Sequence, residues 1–491
     1  MKKRLIKYYV LAPLLLTLSG CDNFLEENPD NRVELNNPDK AAQLLTNAYS
    51  PASYSFTDWM SDNVEYTFGT TKLPEHDQAY TWTEFTGIDQ DTPSQYWTST
   101  YDAIAHANEV LAVIDDLPGD RSHKNAVKGE ALLTRAYGHF MLVNLFAKHY
   151  DPQTADSDLG IPYVLEPETV FIKTYTRNSV EEVYERVEAD LLDGLDLVDK
   201  SFYANSGKYH FTRAAALAFA SRFYLFKGDL NDCIKYSNEL LGSDPSLYVK
   251  NIPVLLQERI NTEDYIRLYH APNDDSNLLL IRQISNFHLP YLGHWPSRQL
   301  YSQIFEVNNI YELTDERQDP AWVAGENGLA ATKYEFLFER LSLTANVGFN
   351  YTIFLAFRGE EVLLNRAECL IQQNNVLQGL DDLLVLARRR YRPSDELDLA
   401  DVTSAGLMQA LQGYYNSSDD QLNALRYLLE ERQKEFIHEG MRWFDIKRYG
   451  IPVNHVLQNG GVVTLEPDDE RKVLQIPQAA IDVGGLEPNP R

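Results

Sequence analysis

From about residue 93 onward, apolar side chains recur at spacings of three and four, the period of an α-helix with one buried face. Trp97, Tyr101, Ile104, Ala105, Asn108 and Leu111 form the first such stripe. The next helix, over about 122–148, aligns Ala131, Leu132, Arg135, Ala136, Phe140 and Val143, and a third runs from about 179 to 198. Ser179, with Glu182 three residues later, gives the third a capping box, in which each side chain serves an amide the helix leaves unpaired. A shorter helix is predicted to open at Asn37, with Pro38 in its first turn, where no amide hydrogen is needed. From about 401 helices resume, and 423–439 puts Leu425, Leu428, Leu429, Arg432 and Phe436 on one face.

Elsewhere the helical period fails. Between about 50 and 93, Tyr54, Phe56, Trp59, Tyr66, Phe68, Tyr80, Trp82 and Phe85 lie among Gly, Thr, Asp and Asn, a composition of ordered aromatic loops. At 212–245 a helical hairpin resembles a tetratricopeptide repeat, with Tyr224, Gly228-Asp229 at the turn, the small Cys233 in the second helix and the closing Pro245. A similar pair is predicted at 360–390, with Asn374-Asn375 at its turn and Gly379 allowing close approach of the helices. The stretch 245–355 separates them and carries Pro253, Pro272, Pro290, Pro296 and Pro320 with short apolar runs, so it reads as irregular chain with short strands. After about 450, Pro467, Pro477, Gly484-Gly485 and Pro488 predict an extended tail packed on the body.

The start of the chain changes the picture. Lys2, Lys3, Arg4 and Lys7, the apolar segment 8–18, and Leu18-Ser19-Gly20-Cys21 form a secretory signal of the bacterial lipoprotein type. Cleavage before Cys21 and acylation of that residue would tether the mature chain, since 8–18 is short, is broken by Pro13 and does not span a bilayer. The formal charge of −28 becomes more negative once the leader is lost, with no basic block, which argues against nucleic acid and against an electrostatic grip on anionic lipid. Cys233 and Cys369 are too few for a disulfide framework or a cysteine zinc site and read as small buried side chains.

No catalytic constellation stands out. His438-Glu439 begins like a zinc-protease motif, but Arg442 occupies the position of the second histidine. With 72 Asp and Glu residues, carboxylate pairs have no diagnostic value, and no cofactor or metal is called for. Recognition by aromatic loops remains. A sugar offers an apolar C–H face and a rim of hydroxyls, so its site needs flat rings beside Asp, Asn, Gln or Arg. Trp59, Tyr80 and Trp82 in the first loop segment, and Tyr291, Trp295 and Arg298 in the second, are the candidate ligand-binding residues. Trp97 follows helical register and is assigned to the frame.

The block 431–450, ERQKEFIHEGMRWFDIKRYG, resembles a hallmark of the SusD/RagB family of Bacteroidetes surface lipoproteins. Other pieces agree in chain order: Cys21-Asp22-Asn23-Phe24-Leu25 with Pro29, Trp97 to Asn108, Gly129-Glu130-Ala131 through Phe140, Arg358 with 360–364, and Ile476-Pro477. The segment 384–390 departs from the family pattern, which more often has an Asn ahead of its arginines. The block itself reads as architecture: Glu431, Arg432, Glu435 and Glu439 keep helical spacing, with Arg442, Lys447 and Arg448 just beyond to match them, and Trp443 and Phe444 closing over the core.

The resemblance implies a mainly α fold, a tetratricopeptide-like frame with a large irregular insertion of short strands and aromatic loops. The expected division is leader 1–20, tether 21–36 and one domain at 37–491, with frame at 37–244 and 356–450, insertion at 245–355 and tail at 451–491. It further implies a non-enzymatic outer-membrane lipoprotein, anchored through Cys21 and facing outward. Such a protein binds a glycan or oligosaccharide and delivers it to a TonB-dependent, SusC-like transporter. A peptide-binding member of the same uptake system and a surface glycoside hydrolase are the alternative readings.

Overall fold

The apolar stripes become α1 (Pro38–Leu45), α2 (Pro74–Thr81), α3 (Pro93–Val113), α4 (Arg121–Phe146) and α5 (Val180–Leu197) in the computed structural model, which describes residues 35–168, 173–199, 202 and 207–491. The leader, Cys21 and the tether up to 34 lie outside the described residues. Side-chain chemistry sets the helix starts: Asn37 accepts from the Lys40 amide, Thr92 from Gln95, Asp120 from Ser122 and His123, and Ser179 and Glu182 close the capping box. Helices α3, α4 and α5 pack in sequence, and the first repeat-like hairpin follows. Its α6 (Arg213–Lys227) ends on Gly228, whose φ of 80° is the left-handed cap, and its α7 (Leu230–Leu241) starts from the Asp229 side chain.

Beyond α7 the chain leaves the frame. Short helices α8 (Ile252–Glu258) and α9 (Thr262–Tyr269) lead into β1 (Asn277–Ile284), then α10 (Arg298–Ser302), β2 (Thr314–Asp315), the hairpin β3 (Ala321–Ala324) and β4 (Gly328–Ala331), and the ribbon β5 (Glu335–Arg340) and β6 (Gly348–Arg358). Strand β6 is the centre of an antiparallel sheet ordered β1, β6, β5, with Ile281 opposite Phe354 and Leu337 opposite Tyr351. The β1 side of the sheet is buried, whereas β5 leaves Phe336, Leu337 and Phe338 exposed.

Strand β6 runs straight into the second hairpin, α11 (Gly359–Gln372) and α12 (Val376–Ala387). Asn374 turns it with a φ of 64°, and a Cβ on Gly379 would lie 2.6 Å from Ile371 Cγ1, so only glycine allows this contact. Strand β7 (Tyr391–Arg392) pairs with β2, and α13 (Ser404–Tyr415) and α14 (Asp420–Glu435) follow. The helix expected over 423–439 stops at Glu435, because His438 and Gly440 adopt positive φ and redirect the chain into α15 (Arg442–Tyr449). Arg442, Lys447 and Arg448 thus stand on a helix of their own. The tail forms β8 (Val453–Val456), β9 (Val462–Leu465) and α16 (Gln478–Asp482), and the Asn489 amide donates to the Phe146 carbonyl at the end of α4, 2.9 Å away.

The C-terminal block is the electrostatic centre of the fold. Glu435 accepts from Arg390 at 2.7 and 2.9 Å and from Arg358 at 2.9 Å, all three side chains being buried. Arg358 also reaches Glu439, Arg317 joins Asp315 to Glu431, and Arg432 reaches Asp445. Burial alone would raise these carboxyls. The charges of Arg390 and Arg358 instead hold Glu435 well below the usual range, and Arg317 with Lys434 brings Glu431 down to about 2. Arg390 lies in the segment that departs from the family pattern, and it is fully engaged, by Glu435, by Glu360 and by the Lys250 carbonyl. Trp443 and Phe444 are buried in the main core.

Candidate functional site

The loop 61–73, the turn 285–295 and the hairpin β8–β9 converge on one side of the frame. The Thr71 amide donates to the Tyr291 carbonyl at 2.7 Å and Glu65 to Trp295 at 3.1 Å, which ties the first two together. The third is tied by rings. Tyr80 lies between two imidazoles, 4.0 Å from His455 at an interplanar angle of 2° and 4.3 Å from His294, and Trp82 stacks on the other face of His455 at 4.5 Å. Tyr66 meets His294 at a tilt with 5.3 Å between centroids. The result is a column of Trp82, His455, Tyr80 and His294, bordered by Tyr66.

The edge of this column floors a groove of about 410 Å³ lined by Tyr66, Asp77, Tyr80, Thr81, Leu457, Gln458 and Asn459. Tyr66 presents a part-exposed ring, steadied by its hydroxyl on Gln458 Oε1 at 3.1 Å and by Lys72 Nζ 4.6 Å from its centroid. Asp77 accepts from His294 Nε2 at 2.9 Å, and that hydrogen bond holds its carboxyl below the usual range while burial keeps the His294 imidazole below its own. Asp77 is therefore an ionised acceptor at neutral pH, beside the amides of Gln458 and Asn459. Beyond the groove the same loops expose Phe68, whose ring is 5.2 Å from Tyr66, and Tyr291. The 285–295 turn continues to His288, stacked at 4.5 Å on Phe336 of the exposed ribbon.

The six candidate residues separate cleanly on this face. Tyr291 is 57% exposed, and Arg298 is exposed at the start of α10. Tyr80 is enclosed by its two histidines, and its hydroxyl donates to Val456, so it serves the groove as floor. Trp59, Trp82 and Trp295 correct the expectation of ligand-facing rings, since all three are buried. Trp59 packs against Phe287 and His76, and a Cβ on Gly293 would come within 2.7 Å of its ring. The indoles of Trp82 and Trp295 donate to the Met60 and Leu292 carbonyls at 2.8 and 2.7 Å, bonds that fix loops. Asp58 and Asp62, which flank Trp59, pair with His438 and Arg442 of the C-terminal block. Sequence reasoning noticed Tyr66 and Phe68 as loop aromatics without choosing them, and nothing in their spacing separated them from their buried neighbours.

Two family descriptions match in chain order. The one described as starch-binding associating with outer membrane covers residues 23–225, and the one described as the SusD family covers 329–483. The chain belongs to the SusD/RagB family. Among SusD/RagB relatives, SusD-like protein P2 of Formosa agariphila is 24% identical over 91% of both chains. A putative sugar-binding protein from Bacteroides vulgatus superposes with a TM-score of 0.69 at 21% identity, covering 94% of this chain and 99% of its own. A laminarin-binding SusD-like protein gives 0.61 at 16%, covering 92% and 98%. At such identities the likeness establishes the SusD/RagB fold; the two matched segments flank residues 226–328, which supply Tyr291, and the ribbon β5–β6 falls within the second segment.

Burial pushes His76, His288 and His455 down to about 4 and His139 and His270 down to about 3. Each folded value lies below the unfolded value of about 6.5, so the unfolded chain takes up protons first as pH falls. Their stabilisation is complete above about pH 6.5 and is lost toward about pH 4 for the first three and about pH 3 for the other two, at up to ~1.4 kcal/mol per pH unit per histidine. Urea midpoints measured from about pH 7 to about pH 5 at constant ionic strength should therefore fall steadily.

Proposed function

We propose that this protein binds a glycan or oligosaccharide on the aromatic face around Tyr66, Phe68 and Tyr291 and passes it, unaltered, to a TonB-dependent transporter of the outer membrane. The observation that carries the reading is the groove itself, a part-exposed tyrosine ring beside an ionised carboxylate and two amides, continuing into exposed rings. Rings supply apolar area at low entropy cost, and Asp77, Gln458 and Asn459 supply acceptors and donors for hydroxyls. Family membership supports the transporter and the outward-facing position, and the sugar-binding relatives support the ligand class. Lipid on Cys21 would keep the protein beside its transporter and raise their effective concentration for each other.

Calorimetry of the purified mature protein against a panel of neutral oligosaccharides tests the ligand, with a peptide pool in parallel. Binding to a sugar whose chain length is unchanged after prolonged incubation is the expected result. Peptide binding without sugar binding would overturn the ligand class, and shortened products would overturn the non-catalytic role. Detergent extracts of native membranes should yield a transporter with the protein, and recovery of the protein alone would count against delivery.

A further inference from the structure

Two thiols remote from the ligand face meet inside the helical frame. Cys233 stands on α7 and Cys369 on α11, helices that pack directly together, and both side chains are fully buried. Cys233 Sγ lies 3.8 Å from the Asn365 carbonyl oxygen and 3.9 Å from Ser221 Oγ. Asn365 precedes Cys369 by one helical turn, so its carbonyl points along α11 toward Cys369. Cys233 perturbs the Cys369 thiol more than any other group does. Two unrelated helices thus place the two cysteines of the described residues beside each other, Cys233 within one helical turn of Cys369, with no metal-binding group of side chains among the described residues to explain it.

We propose that Cys233 and Cys369 form a disulfide as the exported chain folds, covalently joining the first repeat-like hairpin to the second. The proposal rests on the outer-membrane reading for its oxidising compartment. The oxidant is a disulfide, either of glutathione or of a thiol oxidoreductase. One cysteine, deprotonated, attacks that disulfide and displaces one of its sulfurs as a thiolate; the second cysteine, deprotonated in turn, displaces the other. Two S–H bonds and the oxidant's S–S bond break and the protein S–S bond forms. The oxidant receives the two electrons and two protons as two thiols.

Timing follows from the environment. The neighbouring Cys233 and burial push the Cys369 thiol up, which keeps it protonated and unreactive once α7 and α11 have closed. The oxidant therefore acts on the folding chain, and a chain that has folded reduced stays reduced. The bond would close the loop between residues 233 and 369, a long loop of the kind whose closure restricts the unfolded chain most.

Peptide mapping of the lipoprotein isolated from its own membranes, denatured and alkylated before and after reduction, is the test. The expected result is a linked pair of peptides containing Cys233 and Cys369, which separate and take up label only after reduction. Denatured full-length chain refolded with glutathione disulfide should give the same linked pair, melt several degrees higher than chain refolded with excess thiol, and lose that difference in C369A. Label on both cysteines without reduction, or glutathione on either one after refolding, overturns the pairing. Linkage after refolding with free thiols in the isolated protein overturns formation in the cell and places the fault in the reading of its compartment.

Discussion

Replacing Glu435 with alanine should cost about 3–5 kcal/mol of folding free energy, the penalty for leaving buried charges without their partner. Glu435 is the shared acceptor of Arg390 and Arg358, and Arg317 approaches it at 3.5 Å. All are buried, so water cannot take over when the carboxylate is removed. Glu435→Gln, which keeps the shape and one acceptor oxygen but loses the charge, should fall between alanine and wild type. Urea midpoints of the three proteins check the order, and an alanine variant within about 1 kcal/mol of wild type would mean that the cluster is neutral to stability. The acid limb carries the same signature. The folded values of Glu431 and Glu435 lie below the unfolded value near 4.5, so their contribution is present above about pH 4.5 and disappears as pH falls toward about 2. This window overlaps that of the buried histidines between about pH 4.5 and about pH 3, so the carboxylates should steepen the acid limb there.

Truncating Tyr291 and Phe68 together should weaken oligosaccharide binding by about ten- to a hundredfold, about 1.4–2.8 kcal/mol, while leaving the melting temperature almost unchanged. Both rings are largely solvent-exposed, at 57% and 43%, so their loss opens no cavity. Trp295→Ala should do the reverse. Its ring is enclosed beside Phe287 and His438, and its removal should cost about 3–5 kcal/mol of stability. Calorimetry and thermal melts of the two variants separate a ligand-touching ring from a loop-fixing one. If Tyr291 and Phe68 prove dispensable for binding, the ligand face lies elsewhere on the molecule.

The frame was legible because each of its devices is local. A capping serine three residues before Glu182, a glycine ending α6 and an asparagine turning α11 into α12 all act within a few residues, and all are found in place. Gly440 signals a left-handed cap and adopts it, with a φ of 74°, but the helix stops earlier than that signal suggests, at Glu435. His438 takes its positive φ with its ring on Asp58, and Gly440 lies against Thr57, both nearly four hundred positions earlier in the chain. The site was harder for the same reason. Trp59, Trp82 and Trp295 look like ligand aromatics by composition, yet Gly293, Met60 and Leu292 enclose or bind them. Tyr291 stands four residues from Trp295 and faces solvent. Which of the two faces outward depends on the fold around them.

The ring column around Tyr80 joins segments made at opposite ends of synthesis. Tyr80 donates to Val456 across 376 positions of chain, and His455 slots between Tyr80 and Trp82. No earlier part of the polypeptide can close that floor, because neither helix pairs nor loop 61–73 contain the second imidazole face. The groove is therefore completed only in a chain folded through its tail.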